Sequence, residues 1–217
     1  MIKLAIFDLD GLLANTLETS RSAWNALLKE CNCKPMGKEE YAKITGKGSI
    51  HTANVLISTR GLDTTARSLL KRKRELYKKM LPDVKAMPGA LNAARKLSEK
   101  MKLALVSNST RKEVDLVLSS IGALKLFSTS IAGDEICCPK PAPDLYEATL
   151  KKLKIKADNS IAFEDSESGI MAACGAGINA IAIPNTYTKR HNFNCALRIV
   201  SSWKEITPSA IEKWVKK

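Results

Sequence analysis

The sequence predicts an α/β protein: a Rossmann-like parallel-sheet core domain with an inserted α-helical cap domain. Two observations carry this expectation. Short apolar runs of strand length alternate with segments of helical periodicity, the pattern of a parallel sheet covered on both faces. The alternation breaks once, from about Ala14 to about Ala86, where helical stripes follow one another with no convincing strand among them. The expected organisation is therefore 1–14 plus 87–217 for the core and 15–86 for the cap.

The strand-like runs are Leu4 to Phe7, Leu103 to Val106, Ser130 to Ala132, Ile161 to Phe163 and Ala180 to Ile183, each bounded by polar residues, Gly or Pro. Leu91, Ala94, Leu97 and Met101 form one helical stripe of the core. Val114, Val117, Leu118 and Ile121 form another, stopped by Gly122. In the insertion, Trp24, Leu27, Leu28 and Cys31 share a helical face, as do Ala66, Leu69, Leu70, Leu76, Tyr77 and Met80. The basic run Lys71-Arg72-Lys73-Arg74, with Arg67, Lys78 and Lys79, falls mostly opposite that apolar stripe and is expected to be solvated. Pro82 and Pro88-Gly89 mark the return to the core.

Composition narrows the function classes. The 217 residues are 45% apolar, enough for a full core, yet no apolar run approaches the ~20 residues of a membrane-spanning helix. The apolar start at Met1–Phe7 is cut by Asp8 and Asp10, so it reads as a buried strand rather than a signal peptide. Six cysteines form no C-x-x-C pair, and with only two histidines they make no zinc-site pattern. They are expected to be reduced and mostly structural, in a cytoplasmic protein. The net charge of +13 fits a lysine-rich surface that attracts anionic substrates; a nucleic-acid partner is the alternative, and no nucleic-acid motif accompanies the charge.

Four polar clusters stand where strands give way to the next segment. The first strand runs into Asp8-Leu9-Asp10-Gly11. Carboxylates at i and i+2 can share one side of a strand end, one as nucleophile and the other managing protons. The second strand is followed by Ser107-Asn108-Ser109-Thr110, whose hydroxyls and N–H groups suit either a phosphate or a plain helix cap. Lys140 stands between Pro139 and Pro141, where a stiff backbone can present a fixed positive charge. The strand from Ile161 ends in Glu164-Asp165, hard oxygen ligands of the kind Mg²⁺ prefers.

These four clusters, in this order and at these strand ends, resemble the signature motifs of the haloacid dehalogenase-like phosphatases. The inserted helices resemble the cap of the beta-phosphoglucomutase-like branch. The resemblance covers Ile2 to about Ile183 and implies roles residue by residue. Asp8 would be the nucleophile that takes up the phosphoryl group, and Asp10 the acid/base. Ser107 would bind phosphoryl oxygens with Asn108 beside it, and Lys140 would screen the nucleophile from the phosphate. Mg²⁺ would be the cofactor, held by Asp8, Asp10 (through its backbone carbonyl), Glu164 and Asp165. Asp10 favours phosphoryl transfer over dehalogenation, since dehalogenases of the superfamily lack this second aspartate.

Two places depart from the family pattern. Asn15-Thr16 replaces an acidic residue followed by Ser or Thr. Ser20 stands where the beta-phosphoglucomutases carry a histidine on the first cap helix, which favours a phosphatase of a small phosphorylated metabolite over a phosphomutase. The loop Thr45-Gly46-Lys47-Gly48-Ser49 falls at the cap's substrate-facing position. There Lys47 is a candidate phosphate-binding residue, with a simple helix–helix turn as the equal alternative. Substrate identity and oligomeric state are open at this level.

Overall fold

The computed structural model describes residues 1–46 and 48–215. One sheet holds the strands β1 (Leu4–Asp8), β2 (Lys102–Ser107), β3 (Thr129–Ala132), β4 (Ser160–Glu164), β5 (Asn179–Ala182) and β6 (Arg198–Ile199). Their order is β3-β2-β1-β4-β5-β6, and every neighbouring pair is parallel. The five expected strands are all present. β6 has two residues, both exposed, too few to leave a period-two pattern.

Register decides where the polar strand ends meet. Leu4 lies opposite both Lys102 and Ser160, so the three central strands start level. They finish within one residue of one another, β2 running one residue further, which brings Asp8, Ser107 and Glu164 to one edge of the sheet, the edge where open α/β sheets bind ligands. Alternation along β1 sends its side chains to opposite faces. Ala5 and Phe7 enter the core shared with α5 (Ala90–Ser98), α6 (Arg111–Ser120) and α9 (Pro208–Val215). Leu4 and Ile6 enter the core shared with α7 (Asp144–Leu153) and α8 (Glu167–Gly175). The Phe7 ring lies 5.0 Å from Phe163 and 5.6 Å from Trp203, centroid to centroid.

Between β1 and β2 come the cap helices α1 (Thr16–Glu30), α2 (Lys38–Ile44), α3 (Ser49–Arg60) and α4 (Ala66–Met80). They enclose a separate apolar cluster that includes Trp24, Leu28, Tyr41, Leu56 and Leu69. The chain enters and leaves this layer through two paired segments: Asn15 N–H donates to Lys85 O at 2.9 Å, and Met87 N–H to Leu13 O at 2.9 Å. Such a narrow connection lets a helical layer move as a unit over the sheet edge.

Three side-chain expectations are corrected. Cys31 is exposed, because the first cap helix ends at Glu30 and its stripe does not extend that far. Lys73 is buried, only 6% exposed, rather than solvated with its basic neighbours. Its place at i+4 from Leu69 and i−4 from Tyr77 puts it on the apolar stripe of α4. The thiols are not all reduced, nor mostly structural: Cys174 and Cys195 form a disulfide, and Cys31, Cys137 and Cys138 lie exposed. The pairing was hidden because the end of α8 meets the chain beyond β5 only in three dimensions. No described helix is long and apolar enough to cross a membrane.

Candidate active site

Asp8, the last residue of β1, is almost fully buried. Its Oδ1 accepts from Lys140 Nζ at 2.6 Å, and the same ammonium donates to Glu164 Oε1 at 2.6 Å. Tyr146 O–H donates to that Glu164 oxygen as well, at 2.6 Å. Gly169 leaves room for this carboxylate, since a Cβ there would run into the Glu164 side chain. One oxygen each of Asp8, Glu164 and Asp165 lie within 4.8 Å of one another.

The Asp8, Glu164 and Asp165 carboxylates, all buried, thus cluster around the buried Lys140 ammonium. Burial pushes the Asp8 carboxyl well above the usual range; Lys140 pulls it back, while Glu164 and Asp10 push it further. Burial does the same to Asp165, reinforced by Asp8 and Glu164. Burial alone would lower the Lys140 ammonium, yet Asp8 and Glu164 outweigh it and hold the group above its ordinary value. This surplus of negative charge on hard oxygen donors is what a small divalent cation satisfies, so the residues fit Mg²⁺.

Asp10 sits two residues beyond Asp8 and is partly exposed. Its Oδ2 accepts from Ser107 Oγ at 2.6 Å and from Ser109 Oγ at 2.9 Å. The hydroxyl cluster divides its work: Thr110 caps α6 in a reciprocal box with Glu113, while Ser107 and Ser109 turn to Asp10. Asn108 meets the Lys140 backbone at both ends of its amide: Nδ2 donates to Lys140 O at 3.1 Å, and Oδ1 accepts from Lys140 N–H at 2.9 Å. The structure thus brings together Asp8, Asp10, Ser107, Asn108, Lys140, Glu164 and Asp165. Lys47 lies outside the described residues.

Sequence reasoning missed several neighbours. Tyr146 sits on the buried stripe of α7 and gave no polar signal. Asn185, beyond β5, donates through Nδ2 to Asp165 Oδ2 at 2.6 Å. Lys73 reaches in from the cap, its Nζ 4.2 Å from the Tyr77 ring centroid and 5.7 Å from that of Trp24. Burial pushes its ammonium down to about 8, with Glu113 and Asp10 opposing the shift. Its signal was its register with Leu69 and Tyr77, overridden by the basic residues around it.

Between cap and core lies an open-mouthed cavity of about 350 Å³. Asp8, Asp10, Lys140 and Asp165 line its floor, while Ser20, Trp24, Tyr41, Lys73 and Tyr77 line it from the cap. A volume of this order admits a small metabolite rather than a polymer. Two carboxylates of β1 and the segment after it, a buried ammonium and Asp165 thus face one cleft, an arrangement of the kind that phosphoryl transfer uses.

Comparison with known proteins places this site in context. The family model described as haloacid dehalogenase-like hydrolase matches residues 5–183. The chain is 28% identical over 182 residues to the phosphorylated carbohydrates phosphatase of Thermotoga maritima, covering 83% of this chain and 84% of that protein. It is 29% identical over 215 residues to the bifunctional riboflavin kinase/FMN phosphatase of Arabidopsis thaliana; this covers 96% of the chain but only 55% of that longer protein. Among solved structures, CbbY from Rhodobacter sphaeroides in complex with phosphate superposes with a TM-score of 0.83 at 24% identity, covering 98% of this chain and all of that one, a likeness of fold.

Proposed function

Because the chain belongs to the haloacid dehalogenase-like hydrolases, in their beta-phosphoglucomutase-like branch, we propose that it is a Mg²⁺-dependent phosphatase of a small phosphorylated metabolite, a sugar phosphate foremost. The observation that carries this reading is the buried Asp8–Lys140–Glu164 triad, whose Asp8 and Lys140 line a cavity together with Asp10. The Thermotoga phosphatase named above supports a carbohydrate ester as substrate.

Asp8 attacks phosphorus, and the bond to the leaving oxygen breaks as Asp10 hands that oxygen a proton. An aspartyl phosphate on Asp8 results. Asp10, now a carboxylate, takes a proton from water, and the water oxygen displaces Asp8 to release inorganic phosphate. Ser107 and Ser109 hold Asp10 by one oxygen, which aims the other at the leaving group. Ser107 can also turn its hydroxyl to a phosphoryl oxygen. Lys140 offsets the repulsion between two anions, and Asn108 fixes the backbone that presents it. Asp8 and Asp165 would hold Mg²⁺ with the Asp10 backbone carbonyl, and Glu164, already accepting from Lys140 and Tyr146, would shape the site from behind. When bound, Mg²⁺ neutralises charge on the transferring group and keeps Asp8 ionised.

The cap supplies Lys73, a buried cation for an anionic substrate, and Ser20 in place of an acid/base. Serine cannot gate Asp10 at neutral pH, so water reaches the intermediate and phosphate leaves, which favours a phosphatase over a mutase. A panel of phosphorylated metabolites, assayed for phosphate release with Mg²⁺, tests the reading. Release from at least one ester is expected, and silence across the panel would refute it.

A further inference from the structure

The chain that leaves β5 belongs to the core by sequence, yet it joins Asp165 to the cap through two residues. Asn185 uses its whole amide. Its Nδ2 donates to Asp165 Oδ2 at 2.6 Å and to Gly11 O at 2.9 Å, while its Oδ1 accepts from Tyr187 N–H at 2.8 Å. The packing there is tight. A Cβ on Gly11, whose φ is +83°, would lie 2.6 Å from Asp165 Oδ2 and 2.9 Å from Asn185 Nδ2.

The Tyr187 side chain points the other way and is part of the cap's apolar cluster. Its ring meets Tyr41 edge-on at 5.2 Å, and its hydroxyl donates to Glu18. Glu18 in turn pairs with Arg21, whose Nη1 donates to Met36 O at 3.0 Å. A few residues on, His191 Nδ1 accepts from Glu167 N–H at 3.3 Å, and its ring lies against Gly46 of the cap loop.

Taking Asp165 as a metal ligand, as in the reading above, we propose that Asn185 is a positioning residue for Asp165 and that Tyr187 couples it to the cap, so that seating the cap tightens the hold on the divalent cation. The cap holds Tyr187 by its ring and, through Glu18, by its hydroxyl, whose bond keeps the residue seated; the Tyr187 backbone so fixed orients the Asn185 amide, and the amide fixes one Asp165 oxygen while leaving Oδ1 untaken by it. By reciprocity, cation binding favours a seated cap.

Mn²⁺, a paramagnetic stand-in for Mg²⁺, reads this without catalysis. Its affinity is measured by electron paramagnetic resonance titration of the wild type, Asn185→Ala, Tyr187→Phe and the double variant. Tyr187→Phe keeps the ring and its buried contacts, and circular dichroism checks that each variant is folded. Asn185→Ala is expected to weaken Mn²⁺ binding about 10-fold or more, the usual effect of losing a partner that orients a ligand. Tyr187→Phe is expected to weaken it by about 5-fold through the cap. The double variant should be no weaker than Asn185→Ala, because Tyr187 acts through Asn185. Wild-type affinity in Asn185→Ala overturns the positioning role. Wild-type affinity in Tyr187→Phe, or additive losses in the double variant, overturns the coupling, as does a wild type that does not bind Mn²⁺. A protein that follows the expected pattern but releases phosphate from no ester sustains this inference and refutes the phosphatase reading alone.

Discussion

Lys140 Nζ lies 2.6 Å from Asp8 Oδ1, both groups almost wholly out of water. The residue proposed to carry the phosphoryl group is therefore already paired, and the same ammonium is held by Glu164 on its other side. A charge so placed cannot readily swing away, and in the proposed mechanism it screens Asp8 from the anion it attacks. Lys140→Met should lower turnover by about 10²-fold or more while leaving Asp8 in place. It should also destabilise the fold by roughly 3–5 kcal/mol near neutral pH, because two buried carboxylates lose their partner. Since those carboxyls can then protonate, the loss should shrink in acid. Urea titrations at neutral and acidic pH measure this difference.

Metal binding should displace protons. Burial and mutual repulsion hold the Asp8 and Asp165 carboxyls well above their usual range in the metal-free protein. Protonated carboxyls do not ligate Mg²⁺, so affinity should rise with pH until both groups are ionised. Calorimetry in buffers of different ionisation enthalpy should report net proton release on Mg²⁺ binding. Chelation should abolish activity, Mg²⁺ should restore it, and the larger Ca²⁺ should restore it poorly.

Lys73 joins the cap to the pH dependence of stability. Its ammonium is pushed down to about 8 by burial, below its unfolded value near 10.5. Between those limits the unfolded chain binds the extra proton, so stability should rise with pH across that window. Lys73→Met should be more stable than wild type at neutral pH and should lack this rise. The same variant should raise the KM of an anionic substrate, about 10-fold or more, because the cavity loses a buried cation. Thermal unfolding from pH 7 to 10, with steady-state kinetics at pH 7, separates the two effects.

The fold and the residues gathered at the candidate site were legible because each rests on a local pattern. Strand-length apolar runs set the sheet, and each of the four polar clusters follows directly on a strand or precedes a helix. What stayed hidden rests on register or long-range contact. Lys73 reads as solvated among basic neighbours unless its helical spacing from Leu69 and Tyr77 is weighed above composition. Asn185 becomes recognisable only once the chain beyond β5 is seen beside Asp165, 20 residues earlier. The Cys174–Cys195 pair, 21 residues apart, has the same origin. That the Asn108 amide spans the Lys140 backbone, across 32 residues of sequence, was likewise invisible to local pattern.

Ser20 separates release from transfer. It lines the cavity from α1 and cannot serve as a neutral-pH acid or cation. Phosphorus NMR with a hexose 1-phosphate and its bisphosphate activator should show no growth of a hexose 6-phosphate signal. Conversion to the 6-phosphate without free phosphate would point to a mutase.

The central claim is that Asp8 attacks a phosphate ester and that water then frees the phosphate. Its most direct test is phosphate release from a panel of small phosphomonoesters with Mg²⁺, comparing wild type with a folded Asp8→Asn variant. The account predicts turnover of at least one ester by wild type, and a loss of at least roughly 10³-fold in Asp8→Asn, whose amide is too weak a nucleophile. Release by Asp8→Asn at the wild-type rate would contradict it.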